Sequence, residues 1–271
     1  MIITLTTDMG LSDFYVASIK GNILKELPNA NIVDISHVIR PFDISHASFV
    51  IKNCFQDFPK GTIHIIGINP EPDKINGHLI VENYGQFFIG SDNGIFSLLF
   101  NKNPDGIWSI NFDEDLESHS FPTKNIFVKA ACHIARGGVP ALIGNPIDSF
   151  NKKELFRAIV DNNSIKGTVN YIDTYGNVIT NVTKELFNEI GKNKSFKIFL
   201  TRSGYSINKI HKAYGDVPEG ERVALFSSSG FLEIAINKGV IGSGGGANQL
   251  FGLKINDTIT IEFKQDDHSN S

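Results

Sequence analysis

Cysteine is nearly absent from this 271-residue chain, with only Cys54 and Cys132 present. Both fall in stretches that read as helices, which argues against a disulfide framework and against a cysteine-rich metal centre. An excess of basic charge is also lacking. Lys plus Arg number 25 against 29 Asp plus Glu, a formal charge of −4, so there is no footprint for a nucleic-acid backbone. No apolar run approaches the ~20 residues that span a bilayer. Met1-Ile2-Ile3-Thr4-Leu5 has no basic flank and reads as a strand rather than a secretion signal. A cytoplasmic protein with neither nucleic-acid nor membrane partners is expected. His37, His46, His64, His78, His119, His133 and His211 are scattered without ligand spacing, so no metal site is expected. A G-x-S-x-G elbow is missing, and the glycine-rich Gly242–Gly246 lacks the Lys-Ser/Thr of a phosphate-binding loop.

What the chain does have is 41% hydrophobic residues and 21 Phe, enough for a sizeable core or for stacking surfaces around a planar ligand. Strand and helix patterns alternate through the first half. Apolar runs at 2–6, 31–35 and 62–66 read as strands. Helices are expected over 13–27, with Ser12 or Asp13 as N-cap, over 44–58 and over 126–136. Runs at 79–82 and 86–90 flank Asn83-Tyr84-Gly85, a hairpin signal. From residue 166 the pattern becomes short strands at 166–172, 177–182, 196–201, 222–227, 231–236 and 258–264, with one helix near 183–191. The fold class expected is an α/β N-terminal domain with a largely parallel sheet covered by helices, followed by a mostly antiparallel β domain. The boundaries read as 1–155 for the first domain, 156–165 for a linker, 166–264 for the second domain and 265–271 for a frayed tail.

Three places stand out chemically. Asp8 follows the first strand, where open α/β sheets bind ligands; its carboxylate either accepts hydrogen bonds from a ribose diol or orders its own turn. Asp173-Thr174-Tyr175-Gly176-Asn177 puts a carboxylate, an aromatic ring and an amide on one tight turn, or is an ordinary hairpin turn. Ser227-Ser228-Ser229-Gly230 leads into a strand carrying Glu233 among apolar neighbours, either on an exposed face or paired within a site.

Taken in order, further motifs go beyond this. Thr6-Thr7-Asp8-Met9-Gly10 with Lys20-Gly21, Val33-Asp34-Ile35-Ser36-His37, Pro41-Phe42-Asp43-Ile44, Phe58-Pro59-Lys60-Gly61-Thr62-Ile63-His64 and Gly90-Ser91-Asp92-Asn93-Gly94 come from the first half. Tyr171 to Asn177, Tyr214-Gly215-Asp216-Val217 and Ser228 to Asn237 come from the second. Together they resemble the S-adenosylmethionine (SAM) hydroxide adenosyltransferase family, related to the SAM-dependent fluorinases and chlorinases. The resemblance implies SAM or adenosine as ligand, SAM being substrate with no other cofactor. It implies a homotrimer with the site at the subunit interface. Carried over by position, Asp8 holds the ribose hydroxyls and Phe42 lines the sugar and sulfonium. Asp173 pairs with the methionine ammonium, Tyr175 and Asn177 meet adenine, and Tyr214 stacks on it. Ser228 and Ser229 take the methionine carboxylate, and Glu233 is carried over as a further substrate-binding residue.

One block departs from the family. Its hydrolases carry an Asp-Arg-His set that activates water; the aligned positions here are Asn69, Asn76 and Pro122. Loss of such a set removes about 10²–10⁴-fold of rate by analogy with general acid–base catalysis, unless Asp73, Lys74, His78, His119 or Lys124 substitutes. Three readings follow: a SAM hydrolase, a protein that binds SAM or adenosine without turnover, and a halogenase-like transfer. The third is disfavoured because residues 69–93 are too compact for the extra loop of the fluorinating members.

Overall fold

β1 (Ile2–Thr7) is the pivot of the N-terminal half. It pairs in parallel with β2 (Asn31–Ser36) on one side and with β3 (Ile63–Gly67) on the other. The structure, a computed structural model, describes residues 1–71, 77–100, 102–112, 120–154, 156–192, 194–200, 205–240, 242 and 245–264. It divides into two units, Met1–Leu155 and Phe156–Ser271. In the first, α1 (Tyr15–Glu26) connects β1 to β2, and α2 (Ile44–Lys52) connects β2 to β3. Then come β4 (His78–Asn83), β5 (Gln86–Ser91), α3 (Ile95–Leu99), β6 (Gly106–Ile110), α4 (Val128–Ala135) and β7 (Gly144–Pro146).

The sheet order is β2-β1-β3-β5-β4-β6-β7. The β2-β1, β1-β3 and β3-β5 pairings are parallel, and β5-β4, β4-β6 and β6-β7 are antiparallel. The expectation of a largely parallel sheet is corrected: the sheet is mixed, with a parallel half. The reason is the tight turn at Tyr84-Gly85, whose φ angles of 56° and 70° fit a two-residue hairpin. Such a turn can only join antiparallel strands. Helices cover both faces. α1 and α4 pack with Ile3, Leu5, Ile63 and Ile65 on one face, while α2 and α3 pack with Ile66, Ile68 and Phe88 on the other. β3, buried at every residue, accordingly reads as an unbroken apolar run around His64.

Three helix boundaries differ from expectation. α1 begins after Phe14 with no side-chain cap, so neither Ser12 nor Asp13 fills that role. α2 stops at Lys52, and Cys54 lies beyond it, before a 3₁₀ turn at Phe55–Asp57. α4 is preceded by a π-turn, Thr123–Phe127, which begins directly after Pro122.

The second unit contains β8 (Ile159–Asp161), β9 (Ser164–Ile172), β10 (Val178–Thr183), α5 (Lys184–Gly191), β11 (Phe196–Phe199), β12 (Ser206–Ile207), β13 (Arg222–Phe226), β14 (Phe231–Ile236), α6 (Ala247–Phe251) and β15 (Thr258–Phe263). Its strands run β12-β11-β15-β9-β10-β14-β13, with β8 added alongside β9, and their ladders are antiparallel as expected. The nine-residue β9 links the two parts of this sheet: its first half pairs with β8 and β15, its second with β10. α5 and α6 close the core through Phe187, Ala247 and Phe251.

His64 is a buried polar group with a definite consequence. Its Nδ1 lies 2.7 Å from Thr4 Oγ1, its ring stacks on Phe88, and burial pushes its pKa down to about 4. The unfolded chain therefore takes up a proton between pH 6.5 and about 4 that the folded chain refuses, so acidification through that window removes stability. The full effect is about 3 kcal/mol. Urea unfolding of His64→Gln at neutral and mildly acidic pH should show a flatter dependence than the parent; equal slopes would exclude His64 as the source.

Candidate functional site

The strand order reverses at β1. α1 carries the chain to one neighbour and α2 to the other, which opens a crevice at the carboxyl ends of the strands. Asp8 leaves β1 at this edge, His37 leaves β2, Asn69 follows β3 and Asn93 follows β5. Asp8 Oδ2 accepts the Phe42 N–H at 2.8 Å. Phe42 adopts a left-handed φ of 62° and is 73% exposed. A bulky residue held in that region stores strain, which the surrounding bonds must offset. Those bonds are present. Asp43 caps α2 by accepting the His46 N–H at 2.9 Å and pairs with Arg40 at 2.8 Å. Burial pushes Asp43 upward, but the His46 N–H and Arg40 outweigh it and hold the carboxyl below its ordinary pKa. The loop is thus fastened at both ends, with the Phe42 ring projecting.

Behind Asp8 lies a polar chain that sequence reasoning missed. The β1–β2 ladder slips by one residue, from Leu5 opposite Asp34 to Thr6 opposite Ser36. This irregularity brings His37 level with Thr7. Thr7 Oγ1 is 2.8 Å from His37 Nδ1, His37 Nε2 is 3.0 Å from Asp34 Oδ1, and Lys20 Nζ donates to Asp34 Oδ2 at 2.6 Å. Burial raises Asp34, yet Lys20 and His37 outweigh it and keep its pKa low. The His37 carbonyl accepts the Gly10 N–H at 2.7 Å and so fixes the turn that presents Asp8.

Along β3 the same edge is tightly built. A Cβ at Gly67 would meet Thr123 Oγ1 at 2.7 Å, so glycine is what lets the π-turn lie against the strand. Asn69 has φ 44°, a conformation asparagine tolerates. The Ile68 and Asn69 carbonyls accept from Asn93 Nδ2 at 3.0 and 3.4 Å. The Pro70 carbonyl lies 2.8 Å from His78 Nε2, which must carry the hydrogen because a carbonyl only accepts. The Asn69 side chain is exposed, and Pro122 is buried at the head of the π-turn on the same edge. Asn76 lies outside the described residues, as do Asp73, Lys74 and His119.

In the second unit the Asp173–Asn177 turn is held by one carboxylate. Asp173 Oδ1 accepts the Tyr175 and Asn177 N–H groups at 2.9 Å each, and Oδ2 accepts Asn177 Nδ2 at 2.9 Å. Gly176, at φ 82°, closes the turn, and its carbonyl accepts the Asn248 N–H at the start of α6. Tyr175 is left exposed. Glu233, buried in β14, accepts the Tyr214 hydroxyl at 2.6 Å. Burial pushes the Glu233 carboxyl up; Tyr214 works against this, and nearby Asp173 adds to it. Burial, Glu233 and Asp173 likewise raise the Tyr214 hydroxyl. The fold thus groups Asp173, Tyr175, Asn177, Tyr214 and Glu233. Ser228 and Ser229 sit in the β13–β14 turn, where Ser229 Oγ is 2.7 Å from Ser227 Oγ. That turn precedes β14, of which Glu233 is the third residue. Two carboxylates beside two tyrosine rings suit a cationic, planar ligand.

Residues 3–144 match the SAM hydroxide adenosyltransferase N-terminal domain, and residues 167–260 match the C-terminal domain. The chain belongs to the SAM hydroxide adenosyltransferase family. Within its reach, an (R)-S-adenosyl-L-methionine hydrolase from Methanocaldococcus jannaschii is 31% identical over 86% of this chain and 88% of its own. A fluorinase from Nocardia brasiliensis is 24% identical over 87% of this chain and 90% of its own. A solved structure, an uncharacterized conserved protein from Thermotoga maritima, shares 29% identity at a TM-score of 0.84, covering 96% of this chain and 99% of that one.

The Asp8–Phe42 bond makes a direct forecast for this family member. Asp8→Ala should free the 38–43 loop, with faster amide hydrogen exchange at Phe42 and a loss of about 1–2 kcal/mol in urea unfolding. Unchanged exchange there would show that the strained loop does not depend on Asp8.

Proposed function

We propose that this chain cleaves SAM with water. The water oxygen bonds to C5′, the C5′–sulfur bond breaks with its electron pair passing to sulfur, and adenosine, neutral methionine and one proton result. The leaving group is already activated as a sulfonium, so the protein's task is to position and desolvate the nucleophile. The observation that carries this reading is the Asp8 carboxylate at the strand-order reversal, within a chain that matches both domains of the family. In it Asp8 takes the ribose hydroxyls and Phe42 lines the sugar and sulfonium. Asp173 meets the ammonium, Tyr175 and Asn177 the adenine edge, Tyr214 its face, and Ser228 with Ser229 the carboxylate. We take the ligand to be held between neighbouring copies of a cytoplasmic homotrimer.

Asn69 and Pro122 favour a second reading, a protein that binds SAM or adenosine with little turnover. An exposed amide and a proline cannot accept the proton that a carboxylate and an imidazole would. Chromatography separates the two. Adenosine and methionine formed in equal amounts, well above the uncatalysed rate, support the hydrolase; calorimetric binding without product supports the second reading. A 5′-halogenated adenosine formed only with halide would replace both with transfer to halide. For the hydrolase, Asn69→Asp should raise kcat at least about 10-fold by restoring a base at that position, and an unchanged or lower kcat would remove position 69 from the chemistry.

A further inference from the structure

Glu233 is placed where a carboxylate is costly. It lies in β14 between Leu232 and Ile234, both fully buried, opposite Ile179 of β10 and Leu225 of β13, and is itself 4% exposed. A carboxylate there needs a strong partner. The partner is the Tyr214 hydroxyl, donating at 2.6 Å, the short charge-assisted geometry. Tyr214 stands on a 3₁₀ turn, Tyr214–Asp216, that is fastened independently. Asp216 Oδ2 accepts the Lys212 and Ala213 N–H groups at 2.9 and 3.2 Å, and Asn237 Nδ2 donates to the Val217 carbonyl at 2.7 Å. The turn's backbone is therefore secured without Glu233. What Glu233 fixes in addition is the ring of Tyr214, a residue that remains 41% exposed with its hydroxyl end tied inward.

We propose that Glu233 is a positioning residue: it sets the Tyr214 ring as a preformed face for the purine of an adenosyl ligand and acts through the tyrosine rather than by touching the ligand. This assigns Glu233 a role distinct from direct substrate contact, and it rests on the reading that this unit binds such a ligand. A ring held by its hydroxyl loses less rotational freedom on binding than a free one, so the bond contributes to affinity through preorganisation.

The test is adenosine binding by calorimetry to the full-length protein and four variants. Tyr214→Phe keeps the ring and drops the anchor, and should weaken binding about 10-fold. Glu233→Gln keeps an acceptor for the hydroxyl and should stay within about twofold of the parent. Glu233→Leu should match Tyr214→Phe, and the double variant Glu233→Leu with Tyr214→Phe should be no weaker than either. Loss of binding in Glu233→Gln with none in Tyr214→Phe would overturn the proposal, because the charge itself would then be meeting the ligand. If the parent binds neither adenosine nor SAM, the functional reading fails on its own and the anchor is read from the Tyr214 ring signals by NMR. Ring signals that shift or broaden in Glu233→Leu but not in Glu233→Gln would uphold the anchor, and no change in either would overturn it.

Discussion

Two successive crossover helices that pack on opposite faces of a sheet, one leading to each neighbour of the same strand, leave the carboxyl edge of that strand uncovered. This constraint shapes the N-terminal unit. α1 and α2 pack on different faces of the sheet, β2 and β3 lie on either side of β1, and the carboxyl edge at Asp8 is left open. The edge features described above follow from holding that opening in one shape. Asp8 fixes the strained Phe42 loop, the Thr7–His37–Asp34–Lys20 chain fixes the turn before it, and Asn93 with His78 fixes three successive carbonyls after β3. These groups come from different strands, so the opening is maintained by the sheet rather than by any single loop.

The second unit solves a different problem. Asp173 and Glu233 are near enough to repel, and each is supplied with donors: backbone and amide N–H groups for Asp173, a phenol for Glu233. Hydrogen bonds satisfy lone pairs but leave the net negative charge in place. A ligand carrying a sulfonium and an ammonium would relieve that repulsion on binding, whereas an anionic or neutral one would not.

Legibility in the sequence tracked how local each feature is. The β4–β5 hairpin could be read because Tyr84-Gly85 closes it within two residues, and the Asp173–Asn177 turn because its carboxylate bonds the residues that follow it. β3 could be read because burial on both faces leaves a continuous apolar run. That hairpin already implies an antiparallel pair, but that β5 rather than β4 lies beside β3 could not be read, since it depends on contacts between strands distant in sequence. β6, β7 and β8 are short strands of mixed composition and gave no pattern. The Thr7–His37 contact depends on a one-residue slip between strands about thirty positions apart. The Tyr214–Glu233 bond likewise depends on a turn folding back onto a strand. The family motifs bridged part of this gap by naming Asp8, Tyr214 and Glu233 without saying what each one touches.

The central claim is that a carboxylate at the strand-order reversal recognises a ribose diol. Calorimetry comparing adenosine with 2′-deoxyadenosine on the unmodified protein measures this directly. Loss of one hydroxyl bonded to a charged acceptor should weaken binding by about 10- to 100-fold. Equal affinity for the two nucleosides would contradict the account.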